Sequence, residues 1–160
     1  MAAGGSSIPE VQALLRALAA GRHAAEIGTA FGEGARAIAE TAADLVTVEL
    51  DPVRAESARI ALAGSSNITL VVGDWREVLP PRAPFDFVFV DGGGQETKTD
   101  PAVLDLGRQG TIFVLDDLTP GHAGPDPVRD LWLGDDRVAS AEFLTTPGSA
   151  AIVAVLRTGR

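Results

Sequence analysis

Ala24 to Gly34 reads A-A-E-I-G-T-A-F-G-E-G, and the fold turns on how this stretch is read. Ala24 to Ile27 is a short apolar strand. It breaks at Gly28, passes Gly32 and Gly34, and enters the helical pattern of Ala35 to Ala43. A strand, a glycine loop and a helix in that order make a ligand site, because backbone without Cβ atoms lets a ligand approach and the first helical N–H groups have no internal partner. Such a turn serves dinucleotides, other adenosine cofactors and phosphates alike.

Outward from this unit the chain alternates strands and helices, the pattern of a mostly parallel sheet covered on both faces. Leu45 to Leu50 is the second strand, and Asp51-Pro52 starts a helix running to Ala63 with Asp51 as its cap. Ile68 to Val72 is the third strand, followed by a short turn of helix from Trp75 to Leu79. Phe85 to Val90 is a continuous apolar run, as a strand buried on both faces requires. Thr99 to Leu106 reads as a helix with Pro101 in its first turn, Thr111 to Leu115 as the fifth strand, and Val128 to Leu133 as a helix. Arg137 to Leu144 and Ala150 to Leu156, separated by Pro147-Gly148, form a hairpin, so one of the last two strands is antiparallel. Ahead of the sheet, Val11, Leu14, Leu15 and Leu18 repeat at helical spacing, with Ser6 or Ser7 as cap and Gly21 as the stop. The domain reading is a flexible segment over residues 1–7 and one domain over 8–160.

Acidic residues end these strands. Glu49 lies about 20 residues beyond Gly28, where a carboxylate takes both hydroxyls of a ribose. Gly73-Asp74-Trp75 places a carboxylate and an indole where the adenine of such a nucleoside would lie. Asp91 and Asp116-Asp117 end the fourth and fifth strands. If those strands are parallel neighbours, three carboxylates converge at the rim where open sheets bind ligands. Such a cluster is stable when protonated or bridged by a hard cation.

The segments E-I-G-T-A-F-G-E-G, V-E-L-D, G-D-W, F-D-F-V-F-V-D-G and G-T-I-F-V-L-D-D-L-T-P, in this order, carry a resemblance. The chain resembles the class I S-adenosylmethionine-dependent methyltransferases, closest to the small-molecule O-methyltransferases of the catechol and caffeoyl-CoA type. The resemblance implies a doubly wound, Rossmann-like α/β fold of seven strands, mostly parallel with an antiparallel C-terminal strand and helices on both faces. It implies methyl transfer from S-adenosylmethionine to a small acceptor, with a hydroxyl oxygen as the expected target. The cofactor set it implies is Glu26, Gly28, Gly32, Gly34, Glu49, Asp74, Trp75 and Asp91: the glycine loop at the methionine part, Glu49 on the ribose and Asp74 on the adenine amino group. In the relatives the positions matching Asp91, Asp116 and Asp117 carry Asp, Asp and Asn and hold a divalent metal, so Mg²⁺ on these three residues is an implied second cofactor. The family's catalytic lysine stands three residues beyond the first metal Asp, where this chain has Gly94. Asp91, Lys98 and His122 are therefore the candidate catalytic residues, the last two as general bases. His23, ahead of the first strand, reads as structural.

Composition narrows the class. A formal charge of −9 over 160 residues, with 13 cations, disfavours nucleic acid, whose binders need a basic face. The absence of cysteine rules out disulfides and thiolate chemistry and agrees with a cytoplasmic setting. No apolar run approaches the roughly 20 residues of a bilayer span. A single domain of this length leaves little for an acceptor pocket, so the helix over Val11 to Leu18 or a second subunit of a homodimer is expected to cover it. Two other readings stay open. A nicotinamide-dependent oxidoreductase shares the glycine turn and Glu49, although Gly28, Gly32 and Gly34 depart from G-x-G-x-x-G. A protein of this fold that binds the cofactor without turnover is the other.

Overall fold

The structure, a computed structural model, describes residues 7–157. Helix α1 (Pro9–Ala19) buries Val11, Leu15 and Ala19, one face at four-residue spacing. The expected serine cap is corrected: Ile8 occupies the cap position without a side-chain bond. Ser6 lies outside the described residues, as does all of the segment expected to be flexible except Ser7. Ser7 is itself buried, and its hydroxyl lies beside Gly34.

The sheet follows in order: β1 (His23–Ile27), α2 (Glu33–Ala39), β2 (Asp44–Glu49), α3 (Pro52–Ala61), β3 (Ile68–Val72), α4 (Trp75–Val78), β4 (Phe85–Val90), α5 (Gly94–Lys98), β5 (Gly107–Leu118), α6 (Pro127–Gly134), β6 (Val138–Thr146) and β7 (Ser149–Leu156). Its strand order is β3-β2-β1-β4-β5-β7-β6. The first five strands are parallel neighbours, and β7 runs antiparallel to both β5 and β6. The order reverses between β1 and β4, the place where such sheets open a crevice beyond the strand ends.

Alternation along the strands sends side chains to two layers. Ala24 and Phe87, Phe89 and Val114 pack with Leu15 of α1 and Ile38 of α2. Ala25, Val48, Val88 and Phe113 face the opposite layer with Leu104 and Trp132. Glu26, Glu49, Asp91 and Asp116 all fall on the α1–α2 side by the same alternation.

One element differs from its sequence reading. The helix expected over Thr99 to Leu106 is a 3-10 segment, Pro101–Leu106, and a short helix absent from the sequence reading, α5, precedes it. Gly93 and Gly94 take φ of 78° and 59°, a left-handed turn that starts α5 within the glycine run. Asp100 then stops it: the residue before a proline is driven out of the helical region, and its carboxylate caps the next turn at the Ala102 N–H, 2.9 Å.

Candidate active site

The loop after β1 meets the loop after β4 backbone to backbone. A Cβ on Gly28 would stand 2.3 Å from the Gly92 Cα, and Gly28 has φ of 92°, so this position takes only glycine. The Ile27 carbonyl receives the N–H groups of Asp91 (3.1 Å) and Gly92 (2.6 Å). The two strand ends are thereby clamped, and the crevice above them is set.

That crevice is a cavity of about 660 Å³, within the roughly 300–1,000 Å³ of small-ligand sites. Gly28, Glu49, Asp74, Trp75, Asp91 and Asp117 belong to its wall. Glu49 is buried, and its carboxylate is oriented by two backbone donors, Ala30 N–H at 2.9 Å and Asp51 N–H at 3.0 Å. One N–H per oxygen leaves each with a further lone pair for a ligand hydroxyl. Asp74 accepts the Arg76 N–H at 2.9 Å, so it caps α4 and lines the cavity at once. Arg76 stacks over the Trp75 ring at 5.0 Å and pairs with Asp100 at 3.1 Å, tying α4 to the turn after α5.

Glu26, Gly32 and Gly34, expected at the cofactor, stand behind this wall. Glu26 is fully buried and accepts a hydrogen bond from the Thr47 hydroxyl at 2.5 Å. A Cβ on Gly34 would meet its Oε1 at 2.4 Å, and one on Gly32 would press on Leu62 at 3.1 Å. These residues shape the start of α2 and carry the loop from beneath. Burial raises the Glu26 carboxyl well above its usual range, the Thr47 hydroxyl opposing and the charges of Asp91, Asp116 and Glu49 adding to the rise.

A second cavity, of about 420 Å³, lies beside the first and shares Asp91 and Asp117 with it. Lys98 and His122 are on its wall. Lys98 is brought in by α5: it is 7% exposed, and its ammonium donates to the Asp116 carbonyl at 2.7 Å. The Lys98 carbonyl is held in turn by the indole N–H of fully buried Trp132, at 2.7 Å. His122 sits exposed in the loop between β5 and α6. His23 is remote from both cavities, with Nδ1 2.6 Å from Asp44 and its ring stacked on Phe85.

Asp91, Asp116 and Asp117 do converge, each with a carboxylate oxygen within 4.8 Å of the others. Asp117 reaches the cluster through a left-handed backbone, φ 59°. Burial raises both Asp91 and Asp116 above the usual carboxylate range; Lys98 opposes this for Asp91, and the Asp91 charge reinforces it for Asp116. An all-oxygen donor set with a buried, unpartnered Asp116 Oδ1 fits a hard divalent cation.

Several of these parts have no signature in the chain. Ala30 acts through its main-chain N–H, and Trp132 is one apolar residue of a helix. Gly92 is the exception: a glycine directly after a strand-ending acid signals a close approach.

A family model described as a methyltransferase domain matches residues 25–118, more than half of the chain. The chain belongs to this methyltransferase family. Among curated relatives, the protein-L-isoaspartate O-methyltransferase of Methanoculleus marisnigri is 40% identical over 108 residues, covering 66% of this chain and 46% of the relative. That of Pyrococcus horikoshii is 32% identical over 114 residues, covering 68% and 51%. The chain thus spans about half the length of the curated relatives it matches. Among solved structures, the O-methyltransferase TomG of Streptomyces achromogenes, in complex with SAM, superposes with a TM-score of 0.76 at 26% identity, covering 99% of this chain and 84% of that one. The Bacillus cereus O-methyltransferase in complex with SAH gives a TM-score of 0.77 at 23% identity over 97% and 84%, a likeness of fold. The seven-stranded methyltransferase fold with its antiparallel β7 is what these structures share with the domain.

Proposed function

We propose that this domain transfers the methyl group of S-adenosylmethionine to a hydroxyl oxygen of a small acceptor. The observation that carries the reading is that the two cavities meet at Asp91 and Asp117: a cofactor in the larger one and an acceptor in the smaller would face each other across these carboxylates. The relatives' printed activities and the SAM held by TomG support the cofactor.

In this reading Glu49 takes the ribose hydroxyls on its free lone pairs, Asp74 and Trp75 flank the adenine, and Gly28 lets the methionine part lie against the backbone. Transfer is an in-line displacement. An acceptor oxygen forms a bond to the methyl carbon while the C–S bond breaks, and its electron pair stays on sulfur. The acceptor proton passes to Asp91, with His122 at the solvent side to carry it away. The ammonium of Lys98 stabilises the oxyanion as it develops, the part that the family's displaced lysine would leave undone. Asp91, Asp116 and Asp117 would hold Mg²⁺, which when bound orients and acidifies the acceptor hydroxyl. Holding the reactants in line within a cavity supplies much of the rate enhancement.

A carboxylate acceptor is the second reading, favoured by the relatives that carry isoaspartate in their names. Nicotinamide chemistry and binding without turnover are the other rivals. The reading also places the domain in the cytoplasm, without a nucleic-acid partner, and as a homodimer whose second copy narrows the acceptor mouth. Among the described residues no helix is long and apolar enough to cross a membrane. Calorimetric titration with S-adenosylhomocysteine, with NAD, and with the first ligand plus Mg²⁺ tests it. Saturable binding of the thioether and none of NAD is expected; the reverse would make the domain an oxidoreductase.

A further inference from the structure

We infer that Thr29 and Thr47 are positioning residues for the cofactor: their hydroxyls, buried behind the glycine loop, fix the main-chain N–H that orients Glu49. The inference rests on the methyltransferase reading and deepens it. Neither threonine belongs to the wall of either cavity, so both act through other residues.

Thr29 is the second residue of the loop after β1 and is 2% exposed, and Thr47, within β2, is fully buried. Their hydroxyl oxygens are 2.6 Å apart, and the Thr47 hydroxyl donates to Glu26 Oε2 at 2.5 Å. A hydroxyl has one proton to give. Thr47 spends its own on Glu26, so Thr29 donates to Thr47, and the three side chains form one directed chain from the loop to β1. Glu26 Oε2 accepts in this chain whether or not Oε1 carries a proton. The same carboxylate bears on the end of the loop, where a Cβ on Gly34 would stand 2.4 Å from Oε1.

Ala30, directly after Thr29, has a left-handed backbone with φ of 47°, a conformation that a residue with a Cβ keeps only where its surroundings impose it. Two anchors impose it here. On one side Thr29 is drawn down to Thr47 by its hydroxyl, its N–H donates to the Val48 carbonyl at 3.2 Å, and its carbonyl takes the Gly32 N–H at 2.8 Å. On the other, the Ala30 N–H donates to Glu49 Oε2 at 2.9 Å. The strained residue is the joint between a buried hydroxyl chain and the carboxylate that lines the larger cavity. Thr47 and Glu49 are two residues apart on β2 and share a face of the sheet, so the anchor and the carboxylate it serves stand side by side. Removing the Thr47 hydroxyl leaves the Thr29 proton and Glu26 Oε2 without partners in the core, and takes from Ala30 the anchor that holds its N–H on Glu49.

The test is calorimetric titration of the full chain with S-adenosylhomocysteine, together with amide exchange at Ala30, for Thr47→Val and Thr47→Ser. Valine keeps the branched shape without the hydroxyl; serine keeps the hydroxyl without the branch. Thr47→Val is expected to weaken the ligand by roughly tenfold, the order of one hydrogen bond's contribution, and to speed exchange at Ala30 more than at the other strand-end amides. Thr47→Ser should hold the parent's affinity and exchange. A role in packing alone predicts the opposite ranking, since serine loses a methyl group from the core. Parent-like affinity in Thr47→Val, or equal weakening in Thr47→Ser, overturns the inference. Thr29→Val against Thr29→Ser repeats the comparison from the loop should Thr47→Val fail to fold. If the parent itself does not bind S-adenosylhomocysteine, the cofactor reading falls instead, and exchange at Ala30 still decides whether the two hydroxyls hold its N–H.

Discussion

Glu49 and Gly28 carry the site by opposite means, one through a charge and one through the lack of a side chain. Glu49 is buried and pre-oriented by the N–H groups of Ala30 and Asp51, so in the proposed reading it would meet ribose hydroxyls without rearranging. Charge-assisted bonds are worth about 1.5–3 kcal/mol each. Glu49→Ala is expected to weaken S-adenosylhomocysteine binding by roughly tenfold or more, read by calorimetry; unchanged affinity would remove the ribose assignment. Gly28→Ala sets a Cβ 2.3 Å from the Gly92 Cα at a φ of 92°. Overpacking of about 1–3 kcal/mol, with the left-handed strain added, should lower the urea midpoint and abolish cofactor binding together. A variant as stable as the parent would mean that the two loops are free to part. The place of Glu49 at a strand end was legible from its spacing, whereas the pairing of Gly28 with Gly92 links residues 64 positions apart and is settled only by the fold.

At the scale of elements, α5 brings Lys98 to the strand-end acids, its ammonium donating to the Asp116 carbonyl. It is one turn of helix, too short to be stable alone, and two side chains hold its C-terminal end. Arg76 reaches Asp100 just beyond it, and Trp132 of α6 holds the Lys98 carbonyl. Trp132→Phe keeps most of the apolar contact but leaves that carbonyl unpaired in the core, a penalty of about 1–3 kcal/mol. The expected outcome is a lower urea midpoint, with amide exchange in α5 accelerated more than in the strands. Uniform acceleration would assign Trp132 to general packing alone. The sequence reading placed no helix here, because Gly93 and Gly94 look like loop residues while their left-handed conformations in fact start the helix.

For the whole molecule, the buried acids on one face of the sheet make stability depend on pH. Asp116 is raised from 3.8 to about 8 and Asp91 from 3.8 to about 6, and Glu26 is raised well above 4.5, burial being the first cause in each. A carboxyl whose folded pKa exceeds its unfolded one keeps its proton preferentially in the folded state. Its contribution is present in full below the unfolded value and is lost as pH rises through the folded one. Chelator-treated, ligand-free protein is therefore expected to melt at progressively lower temperature from about pH 4 to about pH 8. Glu26→Gln or Asp116→Asn should flatten that decline and raise the melting temperature at its alkaline end. A melting temperature that climbs across this interval would contradict the assigned protonation states.

The alternation of strands and helices, the antiparallel end and the acids at the strand tips were all determined by the sequence, because periodicity and punctuation are local properties of a chain. The capping of α3 by Asp51 is of this kind, and the structure has it, with the Val53 N–H 2.8 Å from the carboxylate. Which strand-end residues open on a cavity was decided only by tertiary structure. Glu26 and Glu49 have the same chemistry and the same place near a strand end, yet Glu26 is closed over by Gly34 and Thr47 while Glu49 opens on the larger cavity. Lys98 likewise joins the acids through a turn of helix and a buried tryptophan that are remote in the chain from the strand ends they serve. The physical reason is common to all three: a side chain's partners are set by which backbones approach across the fold, and those approaches are settled by packing between distant residues.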